Sequence, residues 1–130
     1  MLKFTTERID AIHCLQQFEQ LVVNGDGQLN IFEKDLKDTT YQSEFKTLLT
    51  YMEYLGNNGT LPKTKFRDVT PKGEKVKEYE FKSKHLRIYA IQKTNGKIVI
   101  LGGYKNNQNK DFLRFRSLKK QLLASLNYKL

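Results

Sequence analysis

The 130-residue chain has one cysteine, two prolines and no long apolar run. A lone thiol, Cys14, makes no internal disulfide, which suits a reducing compartment, so a cytoplasmic location is expected. A membrane-spanning helix needs ~20 apolar residues and no window approaches that, so no membrane partner is expected. The N-terminal stretch MLKFTTERIDAIHCL carries Glu7 and Asp10 early and lacks the apolar centre of a secretory signal. CxxC, HExxH, GxSxG and GxxxxGK[ST] are all missing, which argues against the chemistries those motifs carry. His13 beside Cys14 has no second ligand pair, so neither a metal nor another cofactor is expected. With no repeat, linker or low-complexity tract, residues 1–130 read as a single domain.

The stretch NGDGQLNIFEKD looks like a calcium loop at first sight. Such a loop needs glycine at its sixth position and a bidentate acid at its twelfth. Counted from Asp26 these positions are Ile31 and Lys37, and counted from Asn24 the sixth is Leu29. Neither register fits.

Acidic residues are scarce in the second half. Residues 1–65 carry 7 Lys/Arg against 9 Asp/Glu, while residues 66–130 carry 16 against 5. The whole excess behind the net charge of +9 therefore lies C-terminally. Such a field favours an anionic partner, of which nucleic acid is the commonest. The plain alternative is a coat of solubilising lysines.

Ile9, Ile12, Leu15, Phe18 and Leu21/Val22 fall at helical spacing, which predicts a helix over Thr6–Val23. The rival is a strand over Phe18–Val23 followed by a turn at Asn24–Gly27. A short helix is expected at Ile31–Leu36. A longer one is expected at Tyr41–Leu55, with Phe45, Leu48, Leu49, Met52 and Leu55 on one stripe and Gly56-Asn57-Asn58-Gly59 at its end. Thr60–Lys75 is irregular. From Tyr79 the period becomes two: Tyr79 and Phe81 share a face, then Leu86, Ile88 and Ala90, with a phase slip at Lys82–His85 that predicts a turn or bulge. Asn95-Gly96 is a hairpin turn. Ile98–Leu101, apolar on both faces, reads as a central strand. Gly102-Gly103 permits a bend or a close approach. A basic helix from about Lys110 turns Phe112, Phe115, Leu118, Leu122 and Leu126 inward. The expected fold is α+β, with N-terminal helices on a small curved antiparallel sheet and a basic C-terminal helix.

On the Leu86–Gln92 strand, Arg87 and Tyr89 alternate with the apolar residues. If one face packs on the helices, the other presents a guanidinium and a phenol side by side. Arginine offers a planar fork of donors suited to phosphate. The preceding turn adds Lys82, Lys84 and His85, and the following loop adds Tyr104, Lys105, Asn107 and Lys110. Aromatic faces stack unpaired bases while cations hold the backbone, so the set suits RNA. It also suits RNA cleavage, where the 2′-hydroxyl is a built-in nucleophile. Histidine, with an ordinary pKa of ~6.5, is a natural proton carrier, and His85 stands in the turn. Each residue also has a plainer reading. Arg87 pairs with Glu78 or Glu80 across the hairpin, the tyrosines are core or rim aromatics, and the lysines guard an edge strand.

The run YEFKSKHLRIYAI…GKIVILGGYKNNQNKDFLRFRSLKKQLL resembles the RelE/HigB superfamily of type II toxin–antitoxin toxins, nearest its phage-derived HigB-like branch. The resemblance spans about residues 31–126 and leaves residues 1–30 as an N-terminal extension. It rests on Glu80-Phe81-Lys82, Arg87-Ile88-Tyr89, Ile98–Leu101 and Gly103-Tyr104-Lys105 in that order, with Asn106 where the family has a second lysine. It implies a RelE-like toxin, a ribosome-dependent mRNA endoribonuclease silenced by a cognate antitoxin protein. On this reading Arg87, Lys105, Lys84 and Tyr104 are the catalytic candidates, with Arg87 on the scissile phosphate. Lys82, His85, Tyr89, Asn107 and Lys110 are the RNA-binding ones. The alternatives are a non-catalytic ParE-like protein that poisons gyrase, and a basic module that docks an acidic protein.

Overall fold

The computed structural model describes residues 2–126, with only the backbone of Leu126, so the expected inward placement of its side chain lies outside the described residues. The architecture is α+β, with three helices and a mixed seven-stranded sheet. The strands are β1 (Phe4–Arg8), β2 (Gln17–Val23), β3 (Asp26–Gly27), β4 (Phe66–Asp68), β5 (Glu78–Lys82), β6 (Leu86–Lys93) and β7 (Gly96–Tyr104). The helices are α1 (Gln28–Leu36), α2 (Gln42–Gly56) and α3 (Gln108–Leu126). The sheet order is β1-β2-β7-β6-β5-β4, with β3 also on β2. All pairs are antiparallel except β2 with β7.

The helix expected over Thr6–Val23 is not there. Its residues form β1, a loop and β2, so the N-terminal part is strand, and the rival reading holds for β2. The apolar spacing misled because both faces of β2 are covered. Phe18 packs on one side and Leu21 on the other, and Val22 is buried as well, which blurs the period of two. Ile9 and Ile12 are buried in the loop rather than on a helix face. Asn24 (φ 51°) and Gly25 (φ 87°) make the turn into β3. The N-terminus of α1 is closed by a distant residue. Gln20 Oε1 accepts from Leu29 N at 2.9 Å and Asn30 N at 3.1 Å, meeting donors that a helix leaves unpaired.

The α2 stripe is as expected, with Phe45, Leu48 and Met52 buried, and Asn58 (φ 68°) lies just past its end. The β6–β7 hairpin turns at Asn95 (φ 62°). In β7, Ile100 is an extra residue opposite the Tyr89/Ala90 step, and both it and Leu101 pack with the α3 layer.

The sheet is covered on both faces. Helices α1 and α2 pack on one side over Phe18, Phe81, Leu86, Ile88 and Val99. Helix α3 packs on the other, setting Phe115, Leu118 and Leu122 against Leu21, Tyr89, Ile91 and Ile98. Each such side chain contributes about 1.5–3 kcal/mol on burial. The expected open face bearing Arg87 and Tyr89 is therefore corrected. A strand apolar on both faces, as Ile98–Leu101 is, requires a cover on both, and α3 supplies the second. The two glycines serve close approach. A side chain at Gly102 would meet the Phe32 ring of α1, and one at Gly103 would meet the Asp111 carboxylate of α3.

Candidate active site at one end of the sheet

Ser83, Lys84 and His85 join β5 to β6 and stand at the end of the sheet where β7 also finishes. The turn is tied internally by Ser83 N to Leu86 O at 3.1 Å and Leu86 N to Ser83 Oγ at 3.2 Å. Arg87 braces it from behind, its Nη1 donating to Ser83 O at 2.7 Å and Leu86 O at 2.8 Å. Lys105 N, opening a 3-10 turn (Lys105–Asn107), donates to His85 O at 2.8 Å.

The residue that organises this end is Glu44, in the first turn of α2. Its Oε1 accepts from Ser83 Oγ at 2.6 Å and His85 N at 2.8 Å, and its Oε2 lies 2.7 Å from His85 Nδ1. Burial alone would raise this carboxyl, but the hydrogen bonds from Ser83 and His85 outweigh it and hold Glu44 below its ordinary value. The His85 side chain is 46% exposed, so a ring fixed on one edge still meets solvent. No described residue bonds its Nε2. Tyr41 lies with its ring 5.1 Å from that of His85 and 5.6 Å from that of Tyr104. A proton carrier held by a carboxylate, with one phenol ring beside it, is suited to general acid–base work.

Of the residues expected from sequence, Lys84, His85, Tyr104 and Lys105 meet at this end. Lys84 and Lys105 are exposed and Tyr104 is half-buried. Asn107 and Lys110 are exposed on the 3-10 turn and the first turn of α3. Lys82 is partly exposed, its Nζ 3.5 Å from Lys63 O. Arg87 and Tyr89 are not part of this surface. Arg87 is 5% exposed and Tyr89 0%, with the Tyr89 ring 5.0 Å from Phe112 and 5.4 Å from Phe115. As placed, Tyr89 cannot stack a base, because α3 occupies its face. Burial pushes its phenol well above the ordinary value, and the charges of Glu80 and Asp111 add to that.

Among the described residues Arg87 has no carboxylate partner either. Glu80 is taken by Arg67 at 3.1 Å and Gln108 at 2.5 Å, and Glu78 by Arg116 at 3.0 Å and Lys119 at 2.9 Å. Two cations of the basic helix are thus spent on holding it to the sheet.

Sequence reasoning missed Glu44, Ser83 and Tyr41. An acid in a helix's first turn reads as a partner of the helix dipole, and nothing local ties it to a turn 41 residues on. Among the described residues no group of three His, Cys, Asp or Glu could hold a metal ion, and no helix is long and apolar enough to cross a membrane. Compared with protein families, curated proteins and solved structures, the chain matches none.

Proposed function

We propose that the His85 end of the sheet is the active site of an endoribonuclease, the toxin of a type II toxin–antitoxin pair with a RelE-like fold. The observation that carries the reading is the half-exposed His85 ring held by Glu44, with the exposed Lys84 next to it in the turn and the exposed Lys105 joined to it through the backbone. The α+β architecture and the basic second half of the chain agree with the resemblance drawn from Glu80–Lys105.

In the proposed reaction His85 takes the proton of a ribose 2′-hydroxyl. That oxygen attacks the adjacent phosphorus, and the bond from phosphorus to the 5′ oxygen breaks. The departing oxygen takes a proton from the Lys105 ammonium or from water. The products are a 2′,3′-cyclic phosphate and a 5′-hydroxyl end. Lys84 and Lys105 offset the charge that grows on the phosphate, while Tyr104 and Tyr41 offer ring faces to a base. Lys82, Asn107 and Lys110 extend the basic surface along the strand. Arg87 acts here as the brace of the turn, not as the phosphate ligand. The setting is cytoplasmic, the substrate mRNA on the ribosome, and the silencing partner a cognate antitoxin.

Expression of the chain in bacteria arrests growth on this reading, and His85→Ala relieves the arrest. Harmless expression of the wild type, with ribosome-bound mRNA intact, overturns it. The burial of Arg87 and Tyr89 favours one second reading, a non-catalytic ParE-like protein. Its arrest would survive His85→Ala and come with DNA-damage signalling.

A further inference from the structure

Two acid-free stretches lie apart in the sequence and side by side in the fold. Residues 60–67 read TLPKTKFR and residues 81–87 read FKSKHLR, and neither holds an Asp or Glu. The β4–β5 pairing sets Phe66 opposite Phe81, and Lys82 N donates to Lys65 O at 2.8 Å. Lys82 Nζ lies 3.5 Å from Lys63 O, so its ammonium stands at the backbone of the other stretch. Lys65 N and Phe66 N both donate to Pro62 O, at 2.9 Å and 3.0 Å, and close the turn that presents Lys63 and Lys65. Two arginines of these stretches are already engaged, Arg67 by Glu80 at 3.1 Å and Arg87 by backbone carbonyls. Asp68, the first acid after residue 67, accepts from Thr70 N and pairs with Lys77. Among the described residues Lys63, Lys65, Lys82 and Lys84 have no carboxylate partner. Lys82 is partly exposed and the other three are exposed.

Helix α2 ties this edge of the sheet to His85. Glu44 holds the imidazole, its Oε2 2.7 Å from Nδ1. Tyr51, seven residues further along the same helix, lies under Lys65, whose Nζ is 5.2 Å from the ring centroid. Seven residues make nearly two turns, so Glu44 and Tyr51 share a side of α2 and stand about 10 Å apart along its axis. The edge therefore runs beside α2 from the imidazole to the Lys65 ammonium. A phenol ring steadies an ammonium without using up its N–H donors, which stay open to an oxygen.

We propose that this edge carries single-stranded RNA away from the cleavage site, with Lys82, Lys63 and Lys65 on its backbone phosphates. Cations gathered on one edge repel each other, and an anionic strand laid across them removes that cost. A basic path of this kind follows the backbone of a single strand whatever its bases. The path rests on the RNA-cleaving role given to His85 and extends it: Lys63 and Lys65 act in holding the strand and not in moving protons.

The test uses the full chain carrying His85→Ala, which leaves RNA whole. Binding of a fluorescent oligouridylate is measured over a range of salt, with and without Lys63→Met and Lys65→Met together. The double replacement is expected to weaken binding about tenfold and to reduce the slope of log affinity against log salt by about 1.4, the value for two single-strand phosphate contacts. Lys34→Met with Lys37→Met, which removes the same charge from exposed positions at the end of α1, leaves the slope unchanged. Without those lysine replacements, bound RNA is expected to protect Lys63 and Lys65 from acetylation by acetic anhydride. No RNA binding, an unchanged slope after the Lys63 and Lys65 replacements, no protection, or equal affinity for an oligoglutamate of the same charge overturns the proposal. If RNA binds along the edge while wild type cuts none, the path stands and the reaction at His85 falls. If wild type cuts RNA and the two lysines are indifferent to it, the reaction stands and the path falls.

Discussion

Glu44 and His85 are 41 residues apart, yet the Glu44 carboxylate takes three hydrogen bonds from the turn that ends in His85, one of them at its ring nitrogen. One helix residue thus sets both the shape of the β5–β6 turn and the orientation of the imidazole.

Replacing Glu44 with Gln keeps the shape and removes the charge. Two neutral hydrogen bonds can survive, but the ring loses its anionic partner. RNA cleavage is expected to fall by about 10-fold or more, within the range of a perturbed acid–base group. The check is the cleavage rate at fixed substrate, beside a folded-state spectrum matching wild type.

The same pair makes stability depend on pH with a definite sign. Glu44 is depressed in the folded state, so its contribution is complete above its ordinary value of 4.5 and is lost as pH falls through the lower folded value. Thermal melts between pH 6 and pH 3 are expected to converge for wild type and Glu44→Gln at the acid end. A difference between them that stays constant over that range would contradict the assignment.

Arg87→Met tests the bracing role. It leaves the Ser83 carbonyl without its Arg87 donor and the Leu86 carbonyl with Ser83 N alone, in a mostly buried place, so a loss of about 1–3 kcal/mol is expected in urea unfolding. A variant with full stability and no RNA cleavage would instead make Arg87 a phosphate ligand.

Glu78→Gln weakens the two ion pairs that latch α3, to Arg116 and Lys119. Lys119, 4% exposed at its side chain, keeps Glu74 and the Val76 carbonyl as partners, so the expected loss is about 1–3 kcal/mol rather than that of an unpaired buried charge. Urea unfolding measures the loss. Hydrogen exchange is expected to quicken first in α3.

Gly103→Ala pushes a methyl into the Asp111 carboxylate. A loss of about 1–3 kcal/mol follows from overpacking, and Asp111→Ala in the same chain is expected to recover part of it. Additive losses in the double variant would show that the two residues do not meet.

The elements with one buried face and a clear stop were legible in the sequence. The α2 stripe, the Asn95-Gly96 turn and the phase slip at Lys82–His85 all stand where the pattern puts them. Gly102 and Gly103 are approached closely, as two adjacent glycines suggest. What pattern could not reveal was cover on both sides. In β2 the run Phe18–Val23 is buried on both faces, so its spacing mimics a helix. In β6 the alternation of Arg87 and Tyr89 with apolar residues looks like one wet face and one dry, whereas α3 dries the second face as well. Arg87 keeps its charge there by donating to backbone carbonyls of its own turn, a solution with no signature in composition. The basic end of the sheet was foreseen through Lys84, His85, Tyr104 and Lys105. The acid that gives it order was not, because Glu44 reaches it only through the packing of α2.

The central claim is that His85 moves a proton in RNA cleavage. It is tested most directly by incubating the purified chain and its His85→Ala variant with naked RNA and with ribosome-bound mRNA, then scoring the new ends. The account predicts 2′,3′-cyclic phosphate and 5′-hydroxyl ends from wild type, and a rate about 10²–10⁴-fold lower from the folded variant. No cleavage of either substrate by wild type, or equal rates from the two proteins, would contradict it.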